Sequence, residues 1–233
     1  MRWLFALVGV AACGRLGFDP MFTSTGADGG ADTQAGGPMI VQSQSMYSTN
    51  ATTTMLPITA TQPNDLLVVL TVDVFDVSPL STINDSAGDA YVSASSTFTE
   101  QSAFGETWYA PSGAGGATSL TITENANHDR EVWFLELSGA STLDTTNQVS
   151  DQTYSATITA PRVTPTHLPA VILSIVKLSG DVSSTAPPFT ALSPLSGDDV
   201  AYMTVATTGS YGPTYTISVA GTYGAATLSF YAP

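Results

Sequence analysis

The chain has 233 residues, 43% of them hydrophobic, which is enough for one large all-β domain or two small ones. Only 10% of the residues are charged, and five Lys and Arg stand against 19 Asp and Glu, so the formal net charge is −14. So few cations cannot form the positive face that nucleic acid requires, and they cannot hold a basic helix on anionic lipid either.

Hydroxyl side chains take the place of the missing charges. The sequence contains 34 Thr and 26 Ser, roughly a quarter of the chain. Thr favours strands and is a poor helix former, so this composition predicts sheet.

The amino terminus has the pattern of an export signal. Met1 and Arg2 are followed by eight apolar residues, Trp3 to Val10. A spanning helix needs about 20 residues, but this length fits the apolar segment of a signal peptide.

Residues 10–14 read Val-Ala-Ala-Cys-Gly and resemble the lipobox of bacterial lipoproteins. The resemblance implies that residues 1–12 are a signal peptide and that lipid is attached to Cys13, which anchors the protein in a membrane. Because Gly14 and not Asp follows this cysteine, the resemblance implies the outer membrane. Cys13 is also the only cysteine, so an internal disulfide offers no other use for it.

Residues 13–38 are rich in Gly, Asp, Ala and Thr and have no apolar period. Such a segment cannot bury enough surface to order itself, so we predict a flexible tether. A tether of this length spans roughly 25–30 Å, enough to hold a domain clear of the lipid headgroups.

From residue 39 onward the sequence shows short apolar runs between Gly- and Pro-containing turns, without a helical stripe. This pattern predicts a single antiparallel β-sandwich of two sheets over residues 39–233. The clearest predicted strands are Ile40–Met46, Leu66–Phe75, Ala90–Phe98, Thr107–Ala110, Ser119–Thr123, Glu131–Leu137, Ser155–Ala160, Ala170–Leu178, Val200–Ala206, Thr214–Val219 and Ala225–Tyr231.

Two of these runs, 66–70 and 170–176, are apolar at successive positions. Strands of this kind lie in the middle of a sheet that is covered on both sides. A weak internal repeat is also visible, because residues 58–60 match 158–160 and residues 119–123 resemble 214–218. Two repeated halves within the one domain are therefore a second interpretation.

Three stretches carry a further resemblance. Residues 83–91 (INDSAGDAY), 107–118 (with Trp-Tyr-Ala and Gly-Gly-Ala-Thr) and 137–140 (Leu-Ser-Gly-Ala) resemble an extracellular β-sandwich family of secreted bacterial proteins. The resemblance covers most of residues 40–150. It implies a jelly-roll-like sandwich, and it implies no particular activity.

Catalytic patterns are weak. The sequence has no G-x-S-x-G motif, and His128 and His167 are the only histidines, without the spacing of zinc ligands. Pairs of acids that could serve a glycosidase occur at Asp73 and Asp76, Glu131 and Glu136, and Asp198 and Asp199. Glu131 and Glu136 should face opposite sides of one strand. We therefore expect no enzyme activity and no cofactor, with a glycoside-active enzyme as the less favoured alternative.

Two polar segments have alternative interpretations. Residues 124–131 could bind Ca²⁺ or a sugar, but we favour a polar hairpin tip. For Asp85 and Asp89, which flank Ser-Ala-Gly, we likewise favour a turn over a calcium site.

Tyr211, Tyr215 and Tyr223 lie beside glycine-containing turns, where exposed rings can stack on sugars. They are the candidate ligand-binding residues, and packing at the edge of the sandwich is the alternative. Taken together, the sequence predicts a lipid-anchored outer-membrane protein with a non-catalytic adhesion or binding module, for which neutral glycans are the candidate ligands. A structural envelope component is the other possibility.

Overall fold

Antiparallel strands form the regular structure throughout the part of the chain that the computed structural model describes, residues 37–74 and 82–232. The predicted signal peptide, Cys13 and nearly all of the tether lie outside these residues. No helix occurs within them, and the predicted all-β antiparallel sandwich is confirmed.

Fifteen strands are present in the described residues. They are β1 (Met39–Pro57), β2 (Leu66–Val74), β3 (Thr82–Asp85), β4 (Val92–Ser93), β5 (Phe98–Glu100), β6 (Ala103–Ala110), β7 (Ser119–Ser138), β8 (Thr142–Tyr154), β9 (Thr157–Thr159), β10 (Ala170–Leu178), β11 (Val182–Thr185), β12 (Thr190–Ala191), β13 (Asp199–Val205), β14 (Thr214–Ile217) and β15 (Gly221–Tyr231).

The strands form three sheets. The first has the order β1-β7-β2-β6-β4, with β3 paired to β7 and β5 paired to β6. The second has the order β12-β13-β10-β15-β8, and the third has the order β11-β14-β9. The first and second sheets enclose the inter-sheet core, which contains Leu70, Trp133, Leu173 and Leu228.

Both sheets are also covered on their outer faces. The third sheet packs Tyr215 and Ile217 against Ile172 of the second sheet. On the other side, the register of the β1–β7 pair shifts near Ala51, and the outer parts of both strands, with β3, cover Leu67 and Val69 of β2. Strands β2 and β10 are therefore apolar on both faces because each lies between two apolar layers.

The second half repeats the strand pairing of the first. The order β1-β7-β2-β6-β4 corresponds to β8-β15-β10-β13-β12, and the outer layer of β3, β7 and β1 corresponds to β11-β14-β9. Pro57 pairs with Ser119, as Thr159 pairs with Thr214. The pairing thus makes Ile158 equivalent to Leu56. The internal repeat seen in the sequence had instead aligned Ile158 with Ile58, two residues later.

Candidate functional sites

The three candidate tyrosines have different environments. Tyr215 is fully buried, because alternation along β14 turns Tyr215 and Ile217 toward the core and Thr216 toward solvent. Its prediction as an exposed ligand-stacking residue is wrong, since its ring has no solvent-facing surface.

Tyr223 is half-buried and packs its ring edge-on against Tyr154, with ring centroids 6.2 Å apart. Its hydroxyl donates a hydrogen bond to the Thr159 carbonyl oxygen at 3.4 Å. Burial raises the pKa of this hydroxyl. These contacts fit the packing alternative.

Tyr211 is half-buried and borders an open cleft of about 340 Å³, here called the Tyr211 cleft. Its backbone forms two hydrogen bonds with Val163, and its hydroxyl donates to the Thr207 carbonyl oxygen at 2.8 Å. The ring is therefore held in place before any ligand arrives. The cleft is lined by Arg162, Ala186, Pro187, Pro188, Phe189, Met203, Ser210, Tyr211, Gly212 and Thr214.

The cleft combines apolar faces with hydrogen-bonding groups. Arg162 is exposed, and its guanidinium donates to the carbonyl oxygen of Ser210 and to its hydroxyl. Pro187 and Pro188 are exposed on the rim, whereas Phe189 is buried. A ring face beside fixed polar groups can bind a ligand that is itself flat, partly apolar and rich in hydroxyls.

A second site lies inside the protein, at one end of the inter-sheet core. Glu100, Glu131, Lys177 and Asp198 are buried there and are called the inter-sheet cluster. Lys177 continues the row of Val171, Leu173 and Ile175 on β10, so alternation directs it between the sheets. Glu131 lies two residues before Trp133 on β7, so its side chain also points between the sheets.

Lys177 and Asp198 form the central ion pair of this cluster. Lys177 Nζ lies 2.9 Å from Asp198 Oδ2, while Asp198 Oδ1 accepts the backbone N–H of Leu178 at 3.0 Å. Burial raises the pKa of Asp198 to about 6, even though Lys177 favours its charged form. Burial and the Asp198 carboxylate raise the pKa of Glu131 to about 9, so Glu131 is protonated at neutral pH.

Two members of the cluster border a cavity of about 530 Å³, namely Glu100 and Lys177. The Glu100 carboxylate accepts a hydrogen bond from the Thr222 hydroxyl. Asp198 and Glu131 are fully buried behind them. The sequence did not predict this cluster, although it contains one signal: Lys177 is the only lysine of the chain and lies next to the end of β10, which is apolar apart from Lys177 and Ser174.

The prediction of a hairpin tip at residues 124–131 is wrong, because these residues are part of strand β7. Within them, Arg130 is fully buried and its Nε lies 2.5 Å from Asp73 Oδ1. The same guanidinium forms an ion pair with Glu124 and donates to the Thr54 hydroxyl at 3.3 Å. These buried charges tie β7 to β1 and β2, which explains why so polar a segment lies within a sheet.

Glu131 and Glu136 face opposite sides of β7, as predicted. Glu136 lies on the outer side, where it accepts hydrogen bonds from Gln42 Nε2 at 2.6 Å and from the Gln62 backbone N–H at 2.5 Å. Asp199 likewise points away from Asp198 and accepts a hydrogen bond from the Thr185 hydroxyl at 2.8 Å. Asp76 lies outside the described residues.

The remaining candidates hold loops together. Asp85 Oδ1 accepts the backbone N–H groups of Ala87, Gly88 and Asp89, and Asp85 Oδ2 accepts the Tyr91 hydroxyl at 2.9 Å. Both carboxylate oxygens thus serve a turn, which fits the favoured interpretation.

His167 is exposed and stacks on Tyr231, with ring centroids 4.1 Å apart. Its Nδ1 lies 3.1 Å from Asp144 Oδ1. The carboxylate of Asp144 also accepts the hydroxyl and the backbone N–H of Thr166. Asp144 therefore fixes the loop before β10.

Within residues 37–74 and 82–232, no cluster of three or more His, Cys, Asp or Glu is placed to hold a metal ion. No helix in the same residues has the length and apolar character needed to cross a membrane. Comparison with protein-family models, with curated proteins and with solved structures finds no match to this chain.

Proposed function

We propose that this chain is a lipid-anchored protein of the bacterial outer membrane whose sandwich is a non-catalytic binding module for neutral glycans. The observation that carries the binding proposal is the Tyr211 cleft. It places a partly exposed, fixed aromatic ring beside the hydrogen-bonding groups of Arg162, Ser210 and Thr214. Sugars present both apolar C–H faces and hydroxyls, so a cleft of this composition matches them.

The size and charge of the protein support the same ligand class. A volume of about 340 Å³ lies at the lower end of the range for small-ligand sites. The formal net charge of −14 disfavours acidic polysaccharides, because like charges repel at short range. Glu131 and Asp198 are fully buried, so a polysaccharide could not reach them as it would reach glycosidase carboxyls.

Affinity electrophoresis of the detergent-solubilised full chain in gels containing neutral polysaccharides tests the binding proposal. We expect retardation of the wild type, and loss of about 1–3 kcal/mol of affinity in Tyr211→Ala. Tyr47→Ala is the matched control, because Tyr47 is 41% exposed and lies on β1, outside the lining of the cleft.

Retardation that Tyr211→Ala and Tyr47→Ala reduce equally would place the ligand elsewhere. Absence of retardation with every neutral polymer would favour a structural envelope component. The anchor is tested separately by detergent phase partitioning. The wild type should enter the detergent phase and Cys13→Ser should not, because each buried CH₂ of an acyl chain contributes about 0.8 kcal/mol.

A further inference from the structure

The inter-sheet cluster brings a largely buried amine into contact with a buried carboxyl. Lys177 is the only lysine in 233 residues, yet its side chain is only 11% exposed. The Asp198 side chain, in contact with it at 2.9 Å, is fully buried. A buried ion pair repays its desolvation poorly, so a reaction that removes both charges would relieve this cost.

The backbone holds the two groups in place. Val176 of β10 pairs with Asp199 of β13, so the next pair outward along the two antiparallel strands is Lys177 with Asp198. Directly opposed side chains in adjacent strands are close neighbours. The Leu178 N–H also holds Asp198 Oδ1 at 3.0 Å, which leaves Oδ2 facing the amine.

Glu131 supplies the third component. Neither of its carboxyl oxygens meets a hydrogen-bond donor among the residues that the structure describes. A buried carboxyl without donors remains neutral, and its pKa is accordingly raised to about 9 by burial and by Asp198. Glu131 can therefore donate a proton to Asp198 and take one back.

We propose that Lys177 and Asp198 condense spontaneously into an intramolecular amide, with Glu131 as the proton-transferring catalytic residue. First, one ammonium proton passes from Lys177 to Asp198, which leaves a neutral amine and a neutral acid. The lone pair of Nζ then forms a C–N bond with Cγ of Asp198. The electrons of the carbonyl bond move to its oxygen, which receives the proton of Glu131.

The second half of the reaction restores Glu131. As a carboxylate, it takes a proton from the nitrogen and passes it to one hydroxyl, so that the C–O bond breaks and water leaves. The remaining hydroxyl proton returns to Glu131 as the amide carbonyl forms. Carboxylate and ammonium thus become amide and one water, without an oxidant or any other reactant.

The surroundings favour this reaction in two ways. Fixed opposition of the two groups replaces a bimolecular encounter, and it offsets the cost of the first proton transfer, because Asp198 and Glu131 raise the pKa of Lys177 although burial alone would lower it. The released water has an exit, because Lys177 borders the cavity of about 530 Å³. The product would join β10 covalently to β13 in a protein whose single cysteine excludes an internal disulfide.

Trypsin digestion of the fully denatured full chain tests the proposal. The last two tryptic sites of the sequence follow Arg162 and Lys177, and trypsin does not cleave after an amidated lysine. We expect residues 163–233 as one peptide that is lighter than its sequence by one water. Fragmentation should place the link between Lys177 and Asp198. Peptides 163–177 and 178–233 at unchanged masses would overturn the proposal.

Two variants test the role assigned to Glu131. Glu131→Gln should slow amide formation at least about 100-fold, so that trypsin cleaves after residue 177. Glu136→Gln is the matched control, since Glu136 is equally buried on β7 but faces the opposite side, and it should retain the link. Circular dichroism must show both variants folded. A linked Glu131→Gln protein, or attachment of peptide 131–162 to Lys177, would refute the proposed mechanism.

Discussion

Replacing Arg130 by Met should make folding stability strongly dependent on pH. The substitution keeps an unbranched side chain of similar length but removes the cation between Asp73 and Glu124. Arg130 is fully buried, and both carboxylic acids are less than a tenth exposed. The variant would retain two adjacent buried carboxyls whose charges are no longer compensated.

The size of the effect follows from this burial. Removing one partner of a buried ion pair destabilises a protein by about 3–5 kcal/mol, because it strands a buried charge. Burial already raises the pKa of Asp73, and it raises the pKa of Glu124 to about 8, while Arg130 opposes both shifts. Without Arg130, both pKa values rise further.

The sign of the pH effect can be worked out from these shifts. In the unfolded chain both acids ionise near their ordinary pKa values of 3.8 and 4.5, whereas the folded protein holds its protons to higher pH. The folded state therefore binds more protons between pH 4.5 and 8, and stability falls as pH rises through that window. Arg130→Met should therefore lose the full amount estimated above, about 3–5 kcal/mol of unfolding free energy, at pH 8. At pH 4.5 the loss of unfolding free energy should be about 1 kcal/mol or less.

Urea denaturation of the wild type and of Arg130→Met at both pH values measures this difference. Arg162→Met is the control, since Arg162 is exposed and its loss should change stability by no more than about 0.5 kcal/mol at either pH. An Arg130→Met deficit that is the same at pH 4.5 and pH 8 would refute the electrostatic argument.

Three further substitutions test the packing. Gly105→Ala would place a methyl group in steric overlap with the buried Phe98 ring, so its urea midpoint should fall by the equivalent of about 1–3 kcal/mol. Leu173→Ala leaves a cavity in the inter-sheet core, and thermal unfolding should show a loss of about 2–5 kcal/mol. Asp85→Ala strips three backbone N–H groups and the Tyr91 hydroxyl of their acceptor. It should lower stability by about 1–3 kcal/mol and speed proteolysis near residue 88, and unchanged proteolysis would contradict this role.

The sequence predicted the parts of the fold whose apolar pattern is strong. Residues 66–70 of β2 are all apolar, and residues 170–176 of β10 are apolar apart from Ser174, so the sequence alone predicts that both strands are buried on both faces. Strand β8 was missed because it is an edge strand, largely composed of Thr, Asn, Gln and Asp, with no fully buried residue. Such a strand is held by its hydrogen bonds to β15, which composition does not reveal.

The candidate sites were harder to predict because they depend on contacts between distant segments. Glu131 and Asp198 are 67 residues apart, and only sheet stacking brings them together. Tyr215 was misjudged because its glycine-containing neighbourhood suggested a turn, while alternation with Ile217 places it in the core. The strand over residues 124–131 was not predicted because its charges are compensated by contacts that composition does not reveal: Arg130 pairs with Asp73 of β2 and, within β7, with Glu124.

The two repeated halves differ in what holds their outer layers. In the first half, Asp73 opposes Arg130 across β2 and β7, whereas Val176 opposes Ala225 across β10 and β15 at the equivalent place in the second. Local opening of the first outer layer therefore depends on protonation, and that of the second depends on apolar contacts. Once intrinsic exchange rates are corrected for pH, amide protons of residues 119–123 should lose protection from hydrogen exchange as pH rises from 5 to 8. The amide protons of Thr214–Ile217 should stay protected over the same pH range. The two equivalent outer layers would then open independently of each other.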